Sequence, residues 1–148
     1  MSATNVFENG LLSLIFENAN YANVGDATGL RGSTTAGVFY VSLHTGDPGE
    51  AGSQTTSETA YTNYLRSGGS VARSTAGWTV ASGVADNDGA ISYATCGVTG
   101  ATLTYFGIGS DSTGVGNLFL KGALTSSLIV NSGITPSFAA GALDVTLD

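Results

Sequence analysis

The one imidazole of the chain, His44, stands at the end of an alternating apolar run, close in sequence to Asp47 and Glu50. An imidazole beside a carboxylate is the pairing of a general base. Base catalysis also needs an oriented partner and a nucleophile in reach, and the sequence marks neither. A structural hydrogen-bonding role is therefore favoured for His44. The one thiol, Cys96, precedes Gly97 with no local base or positive charge to make it a thiolate. A buried, inert side chain is the favoured reading. Asp86-Asn87-Asp88-Gly89 begins like a calcium loop, but Gly89 directly follows Asp88 and no ligating Glu comes after it. A β-turn is favoured there, and calcium at Asp86 and Asp88 stays open. Asp111-Ser112-Thr113-Gly114 is read the same way. Gly107-Ile108-Gly109 lacks the third glycine of a dinucleotide fingerprint, since position 112 is Ser112. No catalytic, cofactor-binding or metal-ligating residue is assigned, and no enzymatic activity is expected.

Four bases, Arg31, Arg66, Arg73 and Lys121, stand among eleven acids. Each is expected to have a partner. Pairing within the chain is favoured over pairing with a neighbouring subunit.

These residues sit on a β framework. Phe7, Leu11, Leu14 and Ile15 fall on one helical face, with Ser2 or Thr4 as cap and Glu8 in the first turns. Gly10 weakens that helix, and Asn18 to Asn20 and Gly25 end it. Residues 19 to 37 read as a loop. Val38 to His44 is a strand with Phe39, Val41 and Leu43 towards the core. Thr45-Gly46-Asp47-Pro48-Gly49 is a turn. Residues 50 to 70 form a long polar insertion, in which Glu58, Tyr61, Tyr64 and Leu65 suit one or two helical turns. Its tyrosines suit docking. Further strands are expected at Ser70–Arg73, Trp78–Ala81, Ala90–Ala94, Ala101–Ile108, Leu118–Lys121, Leu128–Val130 and Leu143–Leu147. A bulge is expected near Gly107, where the apolar parity shifts. Pro136 makes the segment before Phe138 an edge strand or an extended loop.

The fold class is therefore mainly β: an antiparallel, jelly-roll-like β-sandwich with one short N-terminal helix. A single domain over residues 1–148 is expected, with helix and arm at 1–37 and the sandwich at 38–148, including the long loop 45–70. Free termini fray unless tied down, and Met1 and Asp148 are expected to be packed.

Composition narrows the function. The chain is 42% hydrophobic and 10% charged, with net charge −7, 22 glycines and a pI near 4.2. Four bases cannot neutralise a run of phosphates, which argues against nucleic acid and against an anionic membrane surface. One cysteine and one histidine exclude a disulfide framework and the multi-Cys and multi-His metal sites. Leu11 to Phe16 is far too short to span a membrane and has no basic region before it, so neither signal nor anchor is expected. What remains is a polar, weakly charged β surface suited to protein contact.

Three runs carry a resemblance. The first is Phe39-Tyr40-Val41-Ser42-Leu43-His44-Thr45-Gly46-Asp47-Pro48-Gly49-Glu50. The second is Glu58, Tyr61, Tyr64 and Arg66 in the spacing E-x-x-Y-x-x-Y-x-R, followed by Gly77-Trp78. The third is Gly122 to Leu128 with Gly133 to Gly141. From residue 38 onward this order resembles small virion structural proteins of tailed bacteriophages, of the capsid decoration (cement) type. The resemblance implies a non-catalytic virion component without cofactor, made in the host cytoplasm, in a family that includes both head decoration and tail-fibre proteins; the compact single domain favours one that binds the outside of the assembled head. There it would strengthen contacts between capsomers. Its partners would be the major capsid protein and further copies of itself, as a homo-dimer or homo-trimer at capsid symmetry axes. The compact, non-repetitive sequence favours this over the alternative, a tail or tail-fibre structural module or a host-surface glycan binder using Tyr61, Tyr64 or Trp78. A third class, a small hydrolase, would need His44 beside a carboxylate in an open cleft.

Overall fold

The computed structural model describes residues 2–25 and 29–147; Met1 and Asp148 lie outside the described residues. Along the chain come α1 (Asn5–Phe16), β1 (Val38–His44), a 3-10 turn (Arg66–Gly69), β2 (Ser70–Ala72), β3 (Trp78–Ala81) and β4 (Val84–Asn87). These are followed by β5 (Ile91–Ser92), β6 (Ala101–Gly109), β7 (Leu118–Val130), β8 (Ser137–Phe138) and β9 (Asp144–Thr146). The strands form a sheet ordered β2-β1-β6-β7, a second ordered β3-β4-β9, and the pair β5-β8. Among the described residues the chain is mainly β with one α-helix and antiparallel sheets, in keeping with an antiparallel β-sandwich carrying a short N-terminal helix.

The residues gather into two compact units. One comprises Met1–Val38, Ala72–Ala90 and Phe138–Asp148; the other comprises Phe39–Val71 and Ile91–Ser137. In the first, Thr4 caps α1 through a long 3.5 Å bond from the Phe7 N–H. The buried helical residues are Leu12 and Phe16, so the inward face is turned one residue from the expected Leu11 line. Phe7 is exposed and lies edge-on to Tyr21. Gly10 receives the face of Tyr21: a Cβ there would stand 2.6 Å from the ring. Phe16 packs on Trp78, with ring centroids 4.6 Å apart, and Ala85 and Leu143 are buried in the same unit. The last-turn carbonyls of α1 are taken by Arg73, whose Nε donates to Ile15 O at 2.5 Å and whose Nη2 donates to Leu14 O at 2.6 Å. A distant cation thus supplies what a helix C-terminus lacks.

β3 and β4 form a hairpin closed by Ser82-Gly83, both at positive φ (53° and 79°). This is the backbone that a two-residue turn demands. The expected turn at Asp86–Gly89 is corrected in part, since Asp86 and Asn87 end β4. The Asn87 side chain is buried; it donates to Gly89 O and Ala139 O and accepts from the Ala142 and Leu143 N–H groups. Filling all four amide hydrogen-bonding positions makes a polar residue tolerable in a core.

In the second unit β1 has the expected limits, but Ser42 and His44 are buried along with Phe39, Val41 and Leu43. Leu118–Lys121 and Leu128–Val130, expected as two strands, are the two ends of β7. A bulge stands close to the expected place near Gly107: between Ile108 and Gly109 one step on β6 faces two on β7, Leu120 to Leu118, and a larger bulge lies further along β7. Two steps on β6, Leu103 to Tyr105, face five on β7, Ala123 to Leu128, so β7 carries three extra residues. Gly107 stays in regular register with Ser42 and Lys121. It has no side chain because that space is filled: a Cβ would meet Leu118, Ser42 Oγ and His44 Nε2.

Candidate functional site

The chemistry-bearing residues of the second unit converge on the loop from Thr45 to Arg66. His44 is 0% exposed. Its Nδ1 lies 2.8 Å from Thr56 O and its Nε2 lies 2.8 Å from Ser42 Oγ. A carbonyl only accepts, so Nδ1 carries the proton and Nε2 accepts from Ser42. Burial holds the imidazole below its usual range; the Thr56 bond and the Glu58 charge oppose this, and Arg66 adds to it. The Ser42–His44 pair has the atoms of a nucleophile and base, and both side chains are buried. Asp47 and Glu50 are not its partners. Both pair with Lys121 at 3.1 Å. The Gly49 N–H bond, followed by Lys121, holds the Asp47 carboxyl below the usual range.

The spacing E-x-x-Y-x-x-Y-x-R builds one network. Arg66 Nε donates to Glu58 Oε1 at 2.8 Å and Nη2 donates to Oε2 at 2.6 Å. This two-pronged pairing is the geometry that suits guanidinium and carboxylate. The remaining Arg66 bonds go to Asp111 O and Gly114 O, which fixes the 111–114 turn. Tyr64 donates to Glu58 Oε1 at 2.9 Å, accepts from the Leu43 N–H, and stacks on Tyr93 at 6.0 Å. Tyr93 donates to Val41 O. Tyr61 donates to Ala94 O, and burial pushes its hydroxyl up to about 12. Burial likewise raises Tyr64 and Tyr93 well above the ordinary phenol range. The long insertion is therefore latched onto its own sheet. The expected helical turns shrink to the 3-10 turn at Arg66–Gly69.

A shallow cleft of about 200 Å³ lies over this network, lined by Glu58, Thr59, Tyr64, Leu65 and Arg66 and by the 112–114 turn. Its one full charge pair is already neutralised internally. Tyr61 and Trp78 are buried, which overturns sugar stacking on those two rings. Cys96 is buried, with its thiol against Thr99 O. Asp86 sits beside Asp144 across β4 and β9, and burial followed by that second carboxyl raises its pKa. Asp88 accepts from Thr79 Oγ1. Among the described residues, no three His, Cys, Asp or Glu side chains gather at one point, and no helix is long and apolar enough to cross a membrane. Three of the four bases bond within their own units: Arg66 and Lys121 to carboxylates, Arg73 to carbonyls.

The sequence brought the right residues to notice and missed their use. Glu58, Tyr64 and Arg66 form a clamp, and the spacing that made them conspicuous is the spacing of that clamp. Ser42, a partner of His44, carries no signal in the sequence because it lies between apolar neighbours on a strand.

Among the curated proteins compared, none matches the chain. A family description does match, over residues 2–146: podophage GP4 fiber I protein gp80. The description is of a fiber protein and not of a capsid decoration protein, which corrects the leading expectation. The chain is a phage virion structural protein and belongs to the podophage GP4 fiber I protein gp80 family.

Proposed function

We propose that this chain is a non-catalytic building subunit of a fibre on a podophage particle, present in several copies that contact one another. The observation that carries the reading is the family match over nearly the whole chain, residues 2–146. The site geometry supports it. The side chains able to do chemistry are occupied by their own neighbours: His44 by Ser42 and Thr56, Cys96 by Thr99, Glu58 by Arg66 and Tyr64. Such an arrangement makes a rigid shape and leaves function to surfaces. Fibres are repetitive assemblies, and many copies of one stiff subunit suit them.

The test is immunogold or tag labelling of intact particles read by electron microscopy, with copy number from quantitative mass spectrometry. Label confined to fibres, at a small fraction of the shell protein's copy number, is the expected result. Label spread over the head, at a simple ratio to the major capsid protein, would overturn it and restore the decoration reading with that protein as partner.

A further inference from the structure

β7 is the last strand of its sheet, and its second half carries exposed apolar side chains. Ile129 is 63% exposed and Leu128 38%. They lie opposite Thr102 and Leu103 of β6, beyond the Tyr105–Gly109 stretch that β1 covers. Two turns flank this end of the sheet. Val98, 91% exposed, lies in one; Ile134, 43% exposed, lies in the other. Backbone bonds from Cys96 N to Ile134 O and from Gly133 N to Cys96 O hold the turns side by side. Thr62 fixes the first turn by accepting from the Gly97 and Thr99 N–H groups. Val98, Ile129 and Ile134 therefore gather at one end of the sheet, with Ile129 on the face of the exposed Thr102, while Leu128 lies on the other face with the buried Leu103.

The two segments that build this end carry no charge. Residues 89–110 and 122–143 hold no Asp, Glu, Lys or Arg, in a chain of net charge −7. The polar groups of this end are hydroxyls: Thr95 and Thr135, bonded to each other at 2.6 Å, and the exposed Thr102, Thr125, Ser126 and Ser127. A hydroxyl both donates and accepts, so a hydroxyl surface can match a copy of itself; a carboxylate, which only accepts, cannot. Two identical acidic chains repel through most of their surface. An uncharged apolar patch edged by hydroxyls is where two copies meet without opposed like charges, and a two-fold contact needs such self-complementarity.

We infer that the patch formed by Val98, Ile129 and Ile134 is a contact between copies of this chain. The inference rests on the reading of the chain as a repeated subunit, and it names the surface that does the repeating. The three extra residues of β7 interrupt its free edge, so the copies meet through side chains and not through a continued ladder.

The experiment is sedimentation of the full chain from about 1 to about 100 µM, at low and high salt. The variants are Ile129→Lys, Val98→Asp and, as control outside the patch, Val115→Lys. Wild type is expected to self-associate without weakening at high salt. Either patch variant should weaken association at least about tenfold while keeping the wild-type circular dichroism spectrum, and the control should not. Should Ile129→Lys disturb the sheet, Val98→Asp, in an exposed turn, decides. A wild type monomeric throughout, or association untouched by both variants, overturns the inference. Particle labelling tests the fibre reading separately: self-association through Ile129 together with label off the fibres would retire the fibre and keep the contact.

Discussion

Gly69 lies so close to Val41 that no side chain fits between them. A Cβ on Gly69 would collide with the Val41 carbonyl oxygen and stand 2.7 Å from the Tyr93 hydroxyl, which bonds that same oxygen. The obstacle is backbone, so a rotamer change cannot relieve it. Gly69→Ala is expected to cost about 2 kcal/mol or more, read as a lowered denaturant midpoint with unchanged slope. A midpoint equal to wild type would show that the 3-10 turn is free to move off β1.

The clamp at Glu58 and Arg66 should behave as a buried pair. Their side chains are 15% and 3% exposed. Removing one partner leaves the other's charge stranded, so Arg66→Met or Glu58→Gln is expected to cost about 3–5 kcal/mol. Hydrogen exchange should show the 53–66 segment losing protection before the strands. A double replacement by apolar residues should recover part of the loss, because the desolvation penalty leaves with the charges.

His44 gives stability a pH dependence. Its folded-state pKa is lowered from 6.5, so the folded chain resists a proton that the unfolded chain accepts. The stabilisation is fully present above 6.5 and is lost as pH falls from there through the folded-state value. Midpoints measured between pH 7.5 and 5 should decline for wild type. His44→Gln should decline less over the same range. Parallel curves would show that other groups set the slope.

Arg73 should be worth more to α1 than any residue of the helix's own last turn, which contains no base. Arg73→Met is expected to destabilise by about 1–2 kcal/mol and to raise amide exchange at the C-terminal end of α1. Arg73→Lys should rescue only in part, since one ammonium cannot reach both carbonyls with a planar fork.

Gly10→Ala reverses a helix rule. Alanine ordinarily stabilises a helix interior by about 1 kcal/mol. Here the added methyl displaces Tyr21 and with it the Phe7–Tyr21 contact. The expected melting temperature is at or below wild type.

Strands whose alternation is undisturbed were legible from the sequence. β1 and β3 have their expected limits because Val38–His44 and Trp78–Ala81 are bounded by turn residues. β4 was lost because Asp86-Asn87-Asp88-Gly89 has turn composition, and Asn87 owes its burial to bonds with residues 139–143 that no local pattern displays. The signal that could have found it was Ser82-Gly83, a two-residue turn after a strand. β7 looked like two strands because Gly122–Ser127 has no alternation where it bulges. The site was legible as a set of residues but not as a clamp, since sequence spacing does not say whether Arg66 turns inward. Compactness argued against a fibre at the level of one chain, yet the length of an assembly is set by how copies repeat.

The capping of α1 by Arg73 also bears on the order of events during synthesis. The helix is made before Arg73, and its last carbonyls wait for a residue 58 positions downstream of Ile15. The same unit needs β9, which pairs with β4 only after residue 146 has been made. The unit holding α1 is thus completed late, after residues 39–71 and 91–137 have emerged. Contacts of such long sequence separation are slow to close. The early helix would meet the cell as an unfinished amphipathic segment, and its timing would be governed by translation of the rest.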